Sequence, residues 1–382
     1  AGTNVAATAA QHDVAAGGAI MTDAAPATTP PSPDDIKAAS FKVWTYKMGE
    51  QVSLMIHLGD RLGLYRAMRA QGAMTSDELA AASSLHERFV REWLLGQAAA
   101  GLLERDGDGR FTLSDAYAAV LADEEDSLAF AAGAFRGGTD ADVLDHIAGA
   151  FETGVGVSYE QQGATAAAGL ARMTGPWSRL ALTTIILPAL DSVVAKLEAG
   201  AKVVDVGCGG GVTLTTIAEA FPNTTCVGYD PSRTAIDLAT RRAAEMGLDN
   251  TSFVVAGGED LEPSAGYDLV LTFDCLHDMP RPDRAASAVR NAIADDGTWL
   301  IKDVRSTGNF DKDRRNPLLA MFYGFSLTSC LQSAMSEPGG FGLGTLGLHP
   351  DAAQQLTADA GFGSFATHDL NDAANLYYEV RV

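Results

Sequence analysis

The sequence predicts an α/β protein built on a doubly wound, mostly parallel sheet of seven strands, preceded by a small α-helical domain. Three observations carry this. From Lys202 onward, short apolar strands alternate with helical stretches at the spacing of βαβ units. A glycine loop, Gly207-Cys208-Gly209-Gly210-Gly211, stands directly after the first of those strands. Upstream, a helix, a turn, a second helix and a β-hairpin follow one another between residues 76 and 113.

Composition narrows the function classes. The chain has 382 residues, 47% of them hydrophobic, and a net charge of −22. That length fits two or three domains with a sizeable core, and the hydropathy excludes a wholly disordered chain. The acidic excess argues against a protein that grips nucleic acid or an anionic membrane. No apolar run approaches the ~18 residues of a membrane span. Residues 1–20 read as an extension ahead of Met21, and no basic segment leads into an apolar core as in a signal peptide. Cys208, Cys226, Cys275 and Cys330 form no C-x-x-C pair. Their spacing suggests neither disulfides nor a metal site, and reduced thiols in a cytoplasmic protein are expected.

The elements follow in order. Residues 1–33, rich in Ala, Thr, Pro and Gly, are expected to be a disordered tail. A helical stretch covers 36–70. Thr75-Ser76-Asp77-Glu78 is a capping box for a helix over 76–83. Ser84 is expected to cap a second helix over 85–100, which Gly101 stops. Strands 102–105 and 110–113 flank an Asp-Gly-Asp-Gly turn. This order is that of a winged helix-turn-helix, and the domain is taken as 34–125. Residues 126–190 read as a mostly helical linker and roof, interrupted by the Gly-rich stretch 154–163. The α/β domain spans 191–382. Its strands are expected at 203–206, 225–230, 252–255, 268–273, 298–303, 365–369 and 376–380, with an irregular insertion at 305–348.

The glycine loop carries chemistry. Glycines there let a ligand approach the backbone, and free N–H groups at a helix start favour negative charge. A dinucleotide fingerprint would need glycine at Val212. Instead the pattern is D-x-G-x-G-x-G, with Asp205 two residues before Gly207 and Gly209 beyond it. An acid so placed repels a pyrophosphate and suits an ammonium group. Asp230 ends the second strand of the α/β domain. It can accept from both hydroxyls of a ribose, or it can cap the following helix.

This pair of motifs resembles the class I S-adenosylmethionine-dependent methyltransferases, a Rossmann-like fold. The resemblance implies S-adenosylmethionine as cofactor, held by Asp205, Gly207, Gly209 and Asp230. Val254 to Leu261 is similar to the segment whose turn holds the adenine. That segment often has an acid where Gly257 stands, so Gly258, Glu259 or Asp260 is expected to substitute. Asp268-Leu269-Val270 is similar to the family's fourth-strand motif, which ends at Phe273 and Asp274 beside the cofactor.

The N-terminal half narrows the likeness to plant-type small-molecule O-methyltransferases and their bacterial relatives. Cys275-Leu276-His277-Asp278-Met279 is similar to their L-H-D-W segment, with Met279 replacing Trp. That implies His277 as general base, oriented by Asp303. A hydrogen-bonded structural histidine is the competing reading, and Asp278 reads as a support or a turn cap. Tyr159, Met173, Met321 and Tyr323 are candidate acceptor contacts, each with ordinary packing as its alternative. The winged helix has two readings, DNA binding or homodimerisation. From His57 to Asp115 there are seven Arg, no Lys and nine acids. A groove reader should be locally basic, which favours a dimer without nucleic acid or membrane partners.

The expectation is methyl transfer to a small aromatic or phenolic acceptor. A cofactor-sensing winged-helix regulator is the alternative from another class. A nicotinamide enzyme is disfavoured by Val212.

Overall fold

The computed structural model describes residues 30–162 and 164–382. Most of the expected tail therefore lies outside the described residues. Two compact units divide between Gly49 and Glu50. In the first, residues 33–49 form the leading part of the helix Pro33–Arg61. The Ser32 hydroxyl accepts the Asp35 N–H, and the Asp35 carboxylate accepts in return. Ile36, Phe41, Val43, Trp44, Tyr46 and Met48 on this stretch are all exposed.

The second unit begins with the rest of that helix. The helical stretch expected over 36–70 forms as two helices: Gly63 sits at φ 72° and a short helix, Leu64–Met68, restarts beyond it. The capping box forms as expected, with Thr75 and Glu78 satisfying each other's backbone at the start of helix Ser76–Ser83. Ser84 does not cap the next helix. It takes a left-handed conformation (φ 56°) that ends the first one, and the His86 ring caps helix Glu87–Ala99. The wing is a minimal hairpin of β1 (Glu104–Arg105) and β2 (Phe111–Thr112), shorter than expected. Leu64, Tyr65, Leu79, Val90, Trp93, Leu94 and Phe111 form its core.

Residues 126–140 are turns with one 3₁₀ turn, so the mostly helical stretch expected over 126–190 starts only at Ala141, past Gly137 and Gly138, which take positive φ. Helices Ala141–Thr153 and Ala164–Leu180 follow. The main sheet then assembles from β3 (Lys202–Val206), β4 (Thr225–Asp230), β5 (Thr251–Val255), β6 (Tyr267–Phe273), β7 (Ile293–Val304), β8 (Ser364–His368) and β9 (Asn375–Arg381). Its order is β5-β4-β3-β6-β7-β9-β8. β3 to β7 are parallel, and β9 runs antiparallel between β7 and β8.

Strand alternation separates two cores. Val204, Val206, Val270, Trp299, Ile301 and Tyr378 pack on one face with helices Pro282–Ala292 and Pro350–Asp359. Val203, Leu269, Leu271, Leu300 and Tyr377 pack on the other with Leu182, Leu187, Leu214 and Ile217. The strand order reverses between β3 and β6. Open α/β sheets form their ligand crevice at the carboxyl ends of such strands.

The 305–348 insertion is more regular than expected. It holds helices Phe310–Asp313, Leu319–Phe325 and Leu331–Ala334, with a π turn at Ser326–Cys330. Its tail folds back onto the sheet edge, where the Gly344 N–H donates to the His277 carbonyl at 3.0 Å.

Candidate active site

At the end of β3 the chain turns sharply. The Gly207 and Cys208 N–H groups both donate to the Tyr229 carbonyl, at 2.8 and 3.0 Å. Gly207 has φ 73°, and a Cβ there would lie 2.7 Å from the Cys275 side chain. Gly209 has φ 51°, yet a Cβ would meet nothing within 4 Å, so its bare face opens on the cleft. Asp230, at the end of β4, is buried. Its carboxylate accepts the Gly209 and Ser232 N–H groups, both at 2.9 Å. It is not the helix cap: Ser232 is, accepting from Ala235. Each Asp230 oxygen takes one backbone donor and keeps a lone pair for another. A ribose diol fits that capacity.

Asp205 is nearly inaccessible, and burial pushes its carboxyl up to about 8. The charge of Asp230 adds to the rise and Lys302 opposes it. A buried acid held in its neutral form is stabilised as an anion by an incoming cation. The ammonium of an amino-acid moiety fits. Asp205, Gly207, Gly209, Phe273, Asp274 and Lys302 line one cleft, closed by Tyr159 from the roof. Asp274 holds φ 52° and ion-pairs with the buried Lys302 at 2.5 Å, while Asn375 donates to its other oxygen at 2.7 Å.

The second half of the site lies at the ends of β6 and β7. His277 and Asp303 are both buried, and Nδ1 of the imidazole lies 2.8 Å from Asp303 Oδ1. The same oxygen accepts the Val304 N–H at 2.8 Å. Asp303 Oδ2 has no hydrogen-bond partner among the described residues. Burial lowers the His277 pKa, but the Asp303 charge and hydrogen bond, with a further push from Cys330, outweigh it and hold the imidazole well above its ordinary value. With Nδ1 engaged, Nε2 is the nitrogen left for chemistry. Asp278, crowded by burial and by Asp303, is pushed up to about 7 despite His277.

The roof comes from distant segments. Tyr159 sits among Asp278, Asp230 and Cys330, and burial raises its phenol pKa. Glu160 accepts from the Ser232 hydroxyl at 2.5 Å. Gln162 and Ser329 exchange two hydrogen bonds, at 2.6 and 3.2 Å. Thr174 and Ser178 of helix Ala164–Leu180 line the cleft, whereas Met173 is not among the lining residues. Met321 and Tyr323 are corrected: both face solvent, 43% and 48% exposed, while Leu319 and Phe322 take the inner face of their helix. Asp260 closes its own turn by accepting the Gly257 N–H at 3.0 Å, and Glu259 is exposed. Gly258 packs so tightly that a Cβ would meet Val206 at 2.7 Å. Lys302, Cys330 and Glu160 were not anticipated. Lys302 alone left a signal, a lysine inside an apolar strand.

A wider groove of about 770 Å³ lies elsewhere, lined by Arg284, Ser287, Phe341, Leu343 and Gln355, and shares no lining residue with the cleft. We assign chemistry to the cleft because buried titratable groups converge there.

Residues 197–331 match the family described as a methyltransferase domain, and residues 50–123 match the Rv2258c-like winged HTH domain. The chain thus carries a methyltransferase domain behind a winged-helix domain. The methyltransferase fold extends over nearly all of it. A crystal structure from Nostoc punctiforme, assigned as an O-methyltransferase, superimposes with a TM-score of 0.67 at 19% identity, covering 92% of this chain and 100% of the other. Human N-acetylserotonin methyltransferase, solved with SAM, gives 0.63 at 17% identity, covering 90% and 97%. Among curated relatives, the 2-heptyl-1-hydroxyquinolin-4(1H)-one methyltransferase of Mycobacteroides abscessus is 35% identical over 97 residues, 24% of this chain and 40% of that protein. This chain spans less than half the length of the first curated relatives it matches. Among the described residues, no helix is long and apolar enough to cross a membrane.

Proposed function

We propose that this methyltransferase transfers the methyl group of S-adenosylmethionine to a small aromatic or phenolic acceptor, with His277 as general base. The observation that carries the reading is the buried His277–Asp303 pair, 2.8 Å apart at the same sheet edge as the glycine loop and Asp230. S-adenosylmethionine, when bound, supplies a methyl group already activated on a sulfonium. The chain's own residues do the rest. Asp230 holds the ribose hydroxyls, Asp205 faces the ammonium, and Gly207 and Gly209 let the cofactor lie against backbone. The Gly258 backbone, with Glu259 or Asp260, supports the adenine in place of the absent acid at 257.

A free phenol titrates near pH 10, so it must be deprotonated as it reacts. His277 takes that proton at Nε2, and Asp303 stabilises the resulting imidazolium. Tyr159 and the 326–336 segment exclude water above it. Tyr159 is the acceptor contact we retain from the sequence. Phe273 and Asp274 border the cofactor's amino-acid end. The likeness to the quinolinone methyltransferase of Mycobacteroides abscessus supports an aromatic acceptor.

We place the protein in the cytoplasm, where its four free cysteines stay reduced. We assign the exposed apolar stretch Ile36–Met48 to a homodimer interface rather than to DNA-linked assembly. The second winged-helix helix supports this. Its Arg88 and Arg91 are each paired four residues away, with Glu92 and Glu87, at 2.6 Å.

The test is transfer of labelled methyl from S-adenosylmethionine to a panel of phenols, hydroxyquinolinones and hydroxynaphthoates. Turnover of at least one is expected. A folded protein that binds no S-adenosylhomocysteine, or that binds an operator fragment with steep salt dependence, overturns the reading in favour of a regulator.

A further inference from the structure

We propose that His277, Asp278 and Cys330 form a capture site for a thiophilic divalent cation of the zinc class. A ring nitrogen, a carboxylate oxygen and a thiol sulfur from these residues all lie within 4.8 Å of one another. Nitrogen, sulfur and oxygen are the donors that zinc takes. Bonds of about 2.0–2.3 Å would need these atoms to draw in by about an ångström, a shift asked of the half-buried Asp278 and Cys330 side chains.

The surroundings are those of a metal-binding histidine. Its Nδ1 already faces the buried Asp303 carboxylate, which fixes the ring and leaves Nε2 as the nitrogen that can bind a metal once its proton is lost. Three protein donors leave a fourth position for water or an acceptor oxygen. Of the four cysteines, Cys208, Cys226 and Cys275 are buried, and burial raises their thiol pKa values. Cys330 is the accessible one, on the π turn above the sheet edge. Spacing hid this set, because Cys330 comes from the insertion and the other two from the end of β6.

Binding exchanges protons for the metal: the Cys330 thiol loses its proton and stays as the thiolate ligand, the His277 imidazolium and the Asp278 carboxyl lose theirs wherever they are protonated, and all of these protons go to solvent. The His277 lone pair given to the ion is no longer available to take a proton. Occupancy therefore switches off methyl transfer. This last consequence rests on the proposed base role, whereas the binding does not.

The experiment titrates Co²⁺ and Zn²⁺ into chelator-treated full-length protein with a phosphine reductant. One ion per chain is expected, with a thiolate-to-cobalt charge-transfer band that zinc displaces. Cys330→Ser should abolish the band, and Asp278→Asn should weaken zinc binding roughly tenfold or more. Thermal melts of both variants control for folding. Zinc inhibition, scored against each variant's own rate, should be lost in Cys330→Ser. A band that survives Cys330→Ser, or no stoichiometric binding by folded protein, overturns the site. Binding with the band intact but no inhibition leaves the metal site standing and counts against His277 as base.

Discussion

The floor and the roof of the cleft differ in how they are made. The floor is strand ends: Asp205, Asp230, Phe273 and Asp303 each close a parallel strand or lie within two residues of its end, and pairing register sets their spacing. The roof is assembled by contacts between segments far apart in the chain. Gln162 reaches Ser329, and the Gly156 N–H donates to the Met335 carbonyl at 2.9 Å. A floor set by backbone pairing tolerates little change. A roof set by side chains and helix faces can change its occupant while the chemistry beneath it is kept.

If the floor is the machinery, damage there should be severe. His277→Ala should lower turnover on a phenolic acceptor roughly 10²–10⁴-fold, with S-adenosylhomocysteine affinity nearly unchanged. Its raised pKa puts the rising limb of the pH–rate profile above about pH 6.5, since only neutral imidazole accepts a proton. Asp303→Asn should move that limb down and cost less turnover. Full activity of His277→Ala on a weakly acidic acceptor would remove the base from the floor.

The next effect is on affinity. Asp230→Ala should weaken S-adenosylhomocysteine by about 2 kcal/mol, roughly 30-fold, as two hydrogen bonds to a charged group are lost. Calorimetry reads this directly. An unchanged dissociation constant would leave Asp230 as a loop brace, bonded only to Gly209 and Ser232.

Asp205 gives a subtler pair of readouts. Its carboxyl sits at about 8 in the fold and near 4 when unfolded. A raised folded pKa means stability present at low pH and lost as pH climbs from about 4 to about 8. Asp205→Asn should therefore melt above wild type, by an advantage that grows across that window and then levels off. Ligand ammonium should restore the charge, so cofactor binding near pH 7 should release a proton, and binding at pH 9 should not. Buffers of different ionisation enthalpy measure that release.

The smallest effect belongs to the outer roof. Met321→Ala and Tyr323→Ala should leave kcat/KM within about twofold, because both side chains face solvent. A large loss would mean that the 319–325 helix turns inward when acceptor binds.

How far the sequence could be read follows the same division. The seven strands, the glycine loop and the placement of Asp230, His277 and Asp303 were legible, because alternation and strand ends are local features that survive folding. The wing, the capping box and the terminal hairpin were legible for the same reason. Met321 and Tyr323 were misread because an aromatic-rich helix does not reveal which face it buries. Gly63, Ser84 and Gly137 moved element boundaries through positive φ values that composition alone does not force. Cys330 and Glu160 could not be found, since only tertiary packing brings them to the site.

Arg172 has a consequence for how the chain can be divided. It lies beside Ala171 and Thr174, which wall the cleft, and its guanidinium grips Asp60 and Glu124 from the winged-helix side. The partner carboxylates are spread over the first third of the chain. The helix that borders the cleft is thus moored to the winged-helix side of the chain. Cutting the protein at the apparent domain boundary would yield a sheet with one wall cast adrift. The winged helix is a buttress here, because its side of the chain supplies the carboxylates that hold this wall in place.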